Sequence, residues 1–548
     1  MRKTRPQHRS VKIKYPNTYI ILFIFVLVIC IFYFSLRGSK SLKNEVEEVQ
    51  SNEEIKEQFI KREKPISFKG HKVVHLDLKG APPKIDFYKD VFPLLARFGA
   101  TGVLIEYEDM FPYKDNLINV SATNAYTLQN IREINRLAKE HNLTVIPLIQ
   151  TFGHLEFILK LKDYEMLREV SEYPQVICPT HQKTEQLLET MVQQMLAAHP
   201  DSQFIHIGAD EVYYLGICER CTDTMIKHNL SKNLLFIAHI KNVIRIVKHF
   251  NPHITVLMWD DEFRSFTDAD LANSNLNNNV EPVIWKYTKD VYDELGPSLW
   301  DSYQKVFKNV WIASAFKGAT GSNEIVPYAT HYLQNHRSWM SVVAEYSNQF
   351  NFKGIIITGW QRYDHFAVLC ELLPVGLPTL AMSLRILLGF NDSPLSPPTE
   401  IAKLLKCEQP YALIGPVFGS PKCSFPGGDV LEHVIHFQQL KQEFESILED
   451  SRMKGWMSDY NVAHCFTNIN NVESVTTSLG RIRYDLNEIK SLLTSALSEV
   501  YDKYTVEEWI ETYLKPLETH INLLWDAKKK LVAKTTWNRR PFNKDSCK

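Results

Sequence analysis

From about residue 67 to residue 397, short apolar runs alternate with longer stretches whose apolar residues recur every three or four positions. Eight of the short runs read as strands: Val73 to Leu78, Thr101 to Tyr107, Thr144 to Gln150, Phe204 to Asp210, Thr255 to Asp261, Pro282 to Tyr287, Asn309 to Phe316 and Gly354 to Trp360. They are nearly continuously apolar, as strands buried on both faces must be. Between them, stretches such as Leu128 to His141, Glu185 to Ala198 and Leu234 to Phe250 carry helical spacing. This alternation predicts parallel βα units, and eight of them close a (β/α)8 TIM barrel. An open doubly wound sheet would alternate in the same way, so the count alone does not decide. The strand ends favour the barrel: Asp77, Glu106, Tyr107, Gln150, Asp210, Glu211, Trp259, Asp260, Trp285, Tyr287 and Trp360 all fall at or just past C-terminal ends, which converge on one mouth in a barrel.

The pattern changes at both ends of this region. Residues 398–548 carry three long amphipathic stripes, one from Leu431 to Leu448, one from Ile482 to Leu497 and one from Trp509 to Leu531, and predict a C-terminal helical domain. At the other end, Thr18 to Leu36 is an uncharged run of nineteen residues, long enough to cross a bilayer as a helix. Arg2, Lys3, Arg5, Arg9, Lys12 and Lys14 precede it with no acid among them, so the positive-inside bias predicts a cytosolic tail at 1–17, a transmembrane helix at 18–36 and a polar stalk at 37–66. A cleaved signal peptide is the rival reading, but no small-residue cleavage site follows the run. The expected placement is single-pass type II, with the barrel in the Golgi lumen or outside the cell. Four N-x-S/T sequons, at Asn119, Asn142, Asn229 and Asn391, fit that side of the membrane and also arise by chance.

Composition narrows the partners. With 62 basic and 63 acidic residues the chain is nearly neutral, which gives no footing to a nucleic-acid surface. Nine cysteines include one CxxC, Cys218 and Cys221. Without a second CxxC or clustered histidines a structural zinc site is not expected, and a short-loop disulfide is favoured over two free thiols. No metal or cofactor is called for, and the oligomeric state is not legible.

The sharpest chemical signal is Phe204-Ile-His-Ile-Gly-Ala-Asp-Glu-Val-Tyr-Tyr214, a buried strand ending in adjacent carboxylates. Neighbouring side chains at a strand end point different ways, so Asp210 and Glu211 need not share one task. An Asp-Glu pair is usually a solvated loop pair; its position here is what makes it a candidate. His206-Ile-Gly208-Ala-Asp210-Glu211 resembles the H-x-G-x-D-E signature of the family 20 glycoside hydrolases, which ends their fourth barrel strand. The segments His75 to Lys84, Gln150 to Phe157, Gly208 to Gly216 and Thr358 to His365 resemble the hexosaminidase D branch of that family, and the likeness spans about 72–374.

The resemblance implies an exo-acting β-N-acetylhexosaminidase that removes terminal N-acetylgalactosamine, N-acetylglucosamine or both from a glycan by retaining, substrate-assisted hydrolysis. Glu211 would be the proton donor and Asp210 would orient the acetamido group. Tyr287 or Tyr213 would reach the oxazolinium oxygen, and Trp259, Trp285 and Trp360 would box the sugar. Asp77, Gln150 and His154 would meet hydroxyls or catalytic groups. Each aromatic also has a packing reading, and a lone histidine is more often structural. Glu211 is expected protonated and Asp210 ionised.

The chain departs from the better-known members of the family. It has His75, Asp77 and Lys79 where they carry an arginine, Ala315-Phe-Lys-Gly318 where they carry a tyrosine and an aspartate, and Gln361-Arg362-Tyr363-Asp364 where a glutamate follows the last tryptophan. Asp364 is the acid left near that last position. A membrane-bound glycan-binding protein is the alternative function, and a metal-dependent hydrolase using His75, Asp77, His206 and Asp210 a remoter one. The resembled branch also implies an alternative location, cytoplasm and nucleus, against the predicted anchor.

Overall fold

Eight strands pair in parallel around a closed circle in a computed structural model of the chain that describes residues 67–390, 399–408, 422–542 and 547. In chain order they are β1 (His71–Asp77), β2 (Gly102–Glu106), β3 (Thr144–Leu148), β6 (Phe204–His206), β7 (Thr255–Trp259), β8 (Glu281–Trp285), β9 (Asn309–Lys317) and β10 (Asn351–Gly359). A separate antiparallel hairpin, β4 (Arg168–Val170) with β5 (Tyr173–Ile177), lies in the connection from β3 to β6. The ring closes where β1 pairs with both β2 and β10. All eight strands read from the sequence are present, and the open-sheet alternative is excluded by that closure. The predicted helices form as Leu128–Glu140, Gln182–Ala198 and Lys232–Phe250. Thr127 and Ser231 cap two of them by accepting backbone N–H groups of the first turn.

The barrel interior is a packed core built in layers. Val73, Leu104, Ile146, Leu148, Phe204, Leu257, Trp259, Val283, Trp311, Ala313 and Ile356 form it. Trp311 needs the room left by Gly354, its register partner on β10: a Cβ there would lie 2.0 Å from the indole.

Helices follow the barrel, as the stripes predict. Leu431, Val434, Leu440, Phe444 and Ile447 are buried on Gly428–Glu449, and Ile482, Leu486, Ile489, Leu493 and Leu497 on Leu479–Val500. The third stripe runs from Lys503–Trp509 through a π-helical turn, Ile510–Leu514, into Lys515–Val532. These helices grip the mouth of the barrel. Glu508 takes both terminal nitrogens of Arg362, at 2.5 and 2.6 Å, and Tyr513 donates to the carbonyl of Leu369.

One expectation falls outside the described residues and another needs correction. Among the described residues no helix is long and apolar enough to cross a membrane. The most uniformly buried one, Leu373–Leu387, has 15 residues, short of the roughly 20 a span needs. The predicted anchor at 18–36 lies outside the described residues. The cysteines also pair differently: Cys407 bonds Cys423 and Cys465 bonds Cys547, while Cys218 and Cys221 are free.

Gly354→Ala is expected to lower stability by about 1–3 kcal/mol, because an extra methyl has no space beside a ring locked in the barrel. Thermal or denaturant unfolding of the variant measures it, and an unchanged midpoint would show that Trp311 can yield.

Candidate active site

A lysine and its acids form the floor of the mouth. Lys79, just past β1, is buried with its ammonium 3.1 Å from Asp77 Oδ2 and 3.1 Å from Glu106 Oε1. Burial works against that charge, but Asp77, Glu106 and Glu108 outweigh it and hold the lysine pKa well above its ordinary value. Burial likewise opposes the charge on Glu106, yet Lys79 and His75 keep its carboxyl well below the usual range. Each acid passes the order on. Asp77 accepts the N–H of Gln361 at 2.7 Å, fixing the backbone after Trp360. Glu106 accepts from Gln150 Nε2 at 3.5 Å, and the same amide donates to Asp210 Oδ1 at 3.3 Å.

After β6 the chain turns sharply. Gly208, Ala209 and Glu211 all have positive φ, at 65°, 68° and 47°, an arrangement that only glycine adopts without strain. A side chain at Gly208 is excluded as well, because its Cβ would lie 1.9 Å from Gln150 Oε1. The next acids along the rim hold the turn: Asp261 accepts the N–H of Glu211 at 2.8 Å and Glu262 that of Val212 at 2.9 Å. Asp261 also takes the indole N–H of Trp285 at 3.1 Å, so one carboxylate sets both the acid and an aromatic wall.

Asp210 and Glu211 open into a cavity of about 220 Å³ lined also by Lys79, Glu106, Gln150, His154, Trp259, Trp285, Tyr287, Gly318, Ala319, Trp360 and Tyr363. The Trp259 and Trp360 rings are 6.1 Å apart, and Trp285 stacks on Tyr287 at 5.2 Å. The Tyr287 hydroxyl is buried without a hydrogen bond of ordinary geometry, and burial pushes its pKa up.

His154 ties the two carboxylates together. Its Nε2 lies 3.2 Å from Glu211 Oε2 and 3.5 Å from Asp210 Oδ2. Burial opposes its charge, but Asp210, Glu211 and Glu156 prevail and raise its pKa to about 10. Burial pushes Asp210 up to about 7 against the pull of His154. Glu211, whose side chain is 37% exposed, is held below the ordinary glutamate value by its hydrogen bond with His154. The pair is therefore ordered opposite to the sequence expectation. The cause is unequal solvation: Asp210 is enclosed while Glu211 faces the opening.

Eight of the eleven predicted residues line the cavity: Gln150, His154, Asp210, Glu211, Trp259, Trp285, Tyr287 and Trp360. The other three stand elsewhere. Asp77 lies beneath the floor against Lys79, Tyr213 is 49% exposed beside Glu211, and Asp364 caps its own turn by accepting the N–H groups of Phe366 and Ala367. His75 pairs with Glu106 and Asp77 with Lys79, so the remoter metal-hydrolase set does not converge. Sequence reasoning set Glu106 at the mouth without a role, named Lys79 and Tyr363 only as departures from the family pattern, and missed Asp261 as a support of the site. Opposite charges at the ends of two otherwise apolar runs, Lys79 and Glu106, were the available signal for their pairing.

A parallel barrel whose mouth sets adjacent carboxylates among tryptophans has the layout of a glycoside hydrolase. The family model for the catalytic domain of glycosyl hydrolase family 20 matches residues 87–310. The chain is 38% identical over 450 residues to Hexosaminidase D of Homo sapiens, covering 81% of this chain and 91% of that one. It is 44% identical over 318 residues to Hexosaminidase D of Bos taurus, covering 58% and 92%. Among solved structures it is similar to a chitobiase from Flavobacterium johnsoniae, with 14% identity, 85% and 72% coverage and a TM-score of 0.46, a likeness too loose to add weight. The chain belongs to glycosyl hydrolase family 20 and is a glycosidase of the β-N-acetylhexosaminidase class. The lumenal, membrane-bound placement is dropped, because no helix among the described residues is long and apolar enough to cross a membrane.

Replacing Lys79 by Met is expected to destabilise the fold by about 3–5 kcal/mol, since it strands Asp77 and Glu106 as buried charges without a cation. A denaturant titration beside the exposed control Lys89→Met measures it; equal midpoints would show that the floor does not need its charge.

Proposed function

We propose that the chain is an exo-acting β-N-acetylhexosaminidase that cleaves terminal N-acetylhexosamine by a retaining, substrate-assisted route. The observation that carries this reading is that, among the described residues, the carboxylates lining the cavity besides Glu211 are Asp210, already held by Gln150 and His154, and Glu106. Glu106 is bound by Lys79 and His75, and Asp261 is engaged by Glu211 N–H and Trp285. A two-carboxylate retaining site would need a free acid across the scissile bond. With Glu211 as the exposed acid, the nucleophile is left to the substrate. The size of the cavity supports exo action, because about 220 Å³ lies below the usual range for larger ligands and suits one sugar residue.

In this mechanism the acetamido oxygen bonds to the anomeric carbon as the glycosidic bond breaks, and Glu211 protonates the departing oxygen. Asp210, braced by Gln150, accepts the acetamido N–H and offsets the charge that develops on the oxazolinium. Tyr287 supplies its unpartnered hydroxyl to the acetamido oxygen, and the tryptophans exclude water around the ring. Glu211 then takes a proton from water as it attacks the same carbon. Entry of substrate covers Glu211 and favours its protonated form. His154, near both carboxylates, is the relay: its Nε2 gives a proton to Glu211 and takes one from Asp210.

Paired chromogenic β-N-acetylgalactosaminide and β-N-acetylglucosaminide substrates test the reading and rank the two sugars. Glu211→Gln is expected to lower kcat/KM by about 10²–10⁴-fold on both. No turnover by folded wild type between about pH 4 and 7, where a glutamate can serve as acid, would favour glycan binding instead.

The productive state holds one proton on the Asp210–Glu211 pair, so wild-type kcat/KM is expected to fall as pH rises through about 7, where Asp210 titrates. His154 lowers both carboxyl pKa values. In His154→Gln the whole profile therefore moves to higher pH, by on the order of 1 unit. A profile that loses height without moving would remove His154 from the proton balance.

A further inference from the structure

Beyond the sugar site, three sulfurs and a carboxylate converge under the rim. Glu169 on β4, Cys178 just after β5, and Cys218 and Cys221 at the start of the helix Glu219–His228 bring one ligand atom each to within 4.8 Å of all the others. Cys178 Sγ lies 3.4 Å from Cys218 Sγ and 3.6 Å from Cys221 Sγ, and Cys221 Sγ is 3.1 Å from Glu169 Oε2. Glu169, Cys178 and Cys221 are buried, and Cys218 is half-buried.

We propose that Glu169, Cys178, Cys218 and Cys221 bind one structural Zn²⁺ ion. Ligands at about 2.3 Å from a tetrahedral zinc place their sulfurs roughly 3.8 Å apart, close to the spacings found here. A disulfide requires about 2.05 Å and uses two sulfurs, which would leave one of three thiols over. Four other cysteines of the chain are joined as disulfides, whereas these three stand close together and unbonded. The packing of all four atoms leaves room for a single ion. Thiolates with a carboxylate suit zinc, and four protein ligands make a closed, structural set.

The surroundings orient the ligands. Glu169 Oε1 accepts the N–H groups of Ile217 at 2.7 Å and Cys218 at 3.1 Å, which leaves Oε2 for the ion. Cys218 Sγ takes the Cys221 N–H at 3.4 Å, and Thr180 Oγ1 lies 3.3 Å from Cys178 and Cys221. Arg220 hydrogen-bonds Cys178 and offsets part of the site's negative charge. The ion ties the β4–β5 hairpin to the segment that leaves Glu211. A lone CxxC conceals this site in the sequence because its partners Cys178 and Glu169 lie 40 and 49 residues before Cys218.

Elemental analysis of the full chain, purified from zinc-replete cells, is expected to find about one zinc per chain. Cys370→Ser, which removes a free cysteine outside the cluster, keeps it, and the double variant Cys218→Ser/Cys221→Ser loses it. Should the double variant fail to fold, titration of folded wild type with a mercurial is expected to release the zinc to a chromogenic chelator in step with thiol blocking. Background zinc in folded wild type, copper or iron in its place, or a disulfide among the three cysteines in non-reducing peptide maps would each overturn the assignment.

Discussion

The ammonium of Lys79, enclosed by Asp77, Glu106 and Glu108, is the interaction on which the mouth of the barrel depends. Burial works against the charge on Glu106, which Lys79 and His75 sustain, and the carboxylates gathered around the ammonium include the acceptors that organise what lies above. Through Asp77 the order reaches the backbone after Trp360. Through Glu106 it reaches Gln150 and then Asp210. The floor is rigid because several hydrogen bonds converge on each carboxylate, and that rigidity is what a preorganised site requires.

The barrel was legible because its strands are buried on both faces and leave a nearly unbroken apolar trace, eight times over. Asp210, Glu211 and the three tryptophans were legible because they end those traces. The rest depends on contacts between distant segments. Nothing near Asp261 in the sequence announces that it would hold Glu211 and Trp285 at once. Asp364 looked like a substitute for a missing acid and serves its own turn instead. The hydropathy of 18–36 is a local property, and it did not carry a compartment.

Glu211 and Asp210 show how environment, not residue type, divides labour between two acids. The expectation assigned the proton to the group that performs acid catalysis. The more enclosed Asp210 holds a proton more readily, and exposed Glu211 leans on His154. In the proposed mechanism binding reverses that balance by covering the group that was open, so that the substrate completes the site electrostatically as well as chemically.

Arg362 spans two parts of the molecule: its Nε holds the Lys79 carbonyl at 2.8 Å while its terminal nitrogens hold Glu508. The family match ends at residue 310, before the strand that carries Trp360 and long before Glu508. The segment that the family model describes and the segment that must be inherited together for the pocket to keep its shape are therefore not the same length. A graft of the barrel alone onto another protein would carry the acids across and leave behind the clamp on the loop beside Trp360.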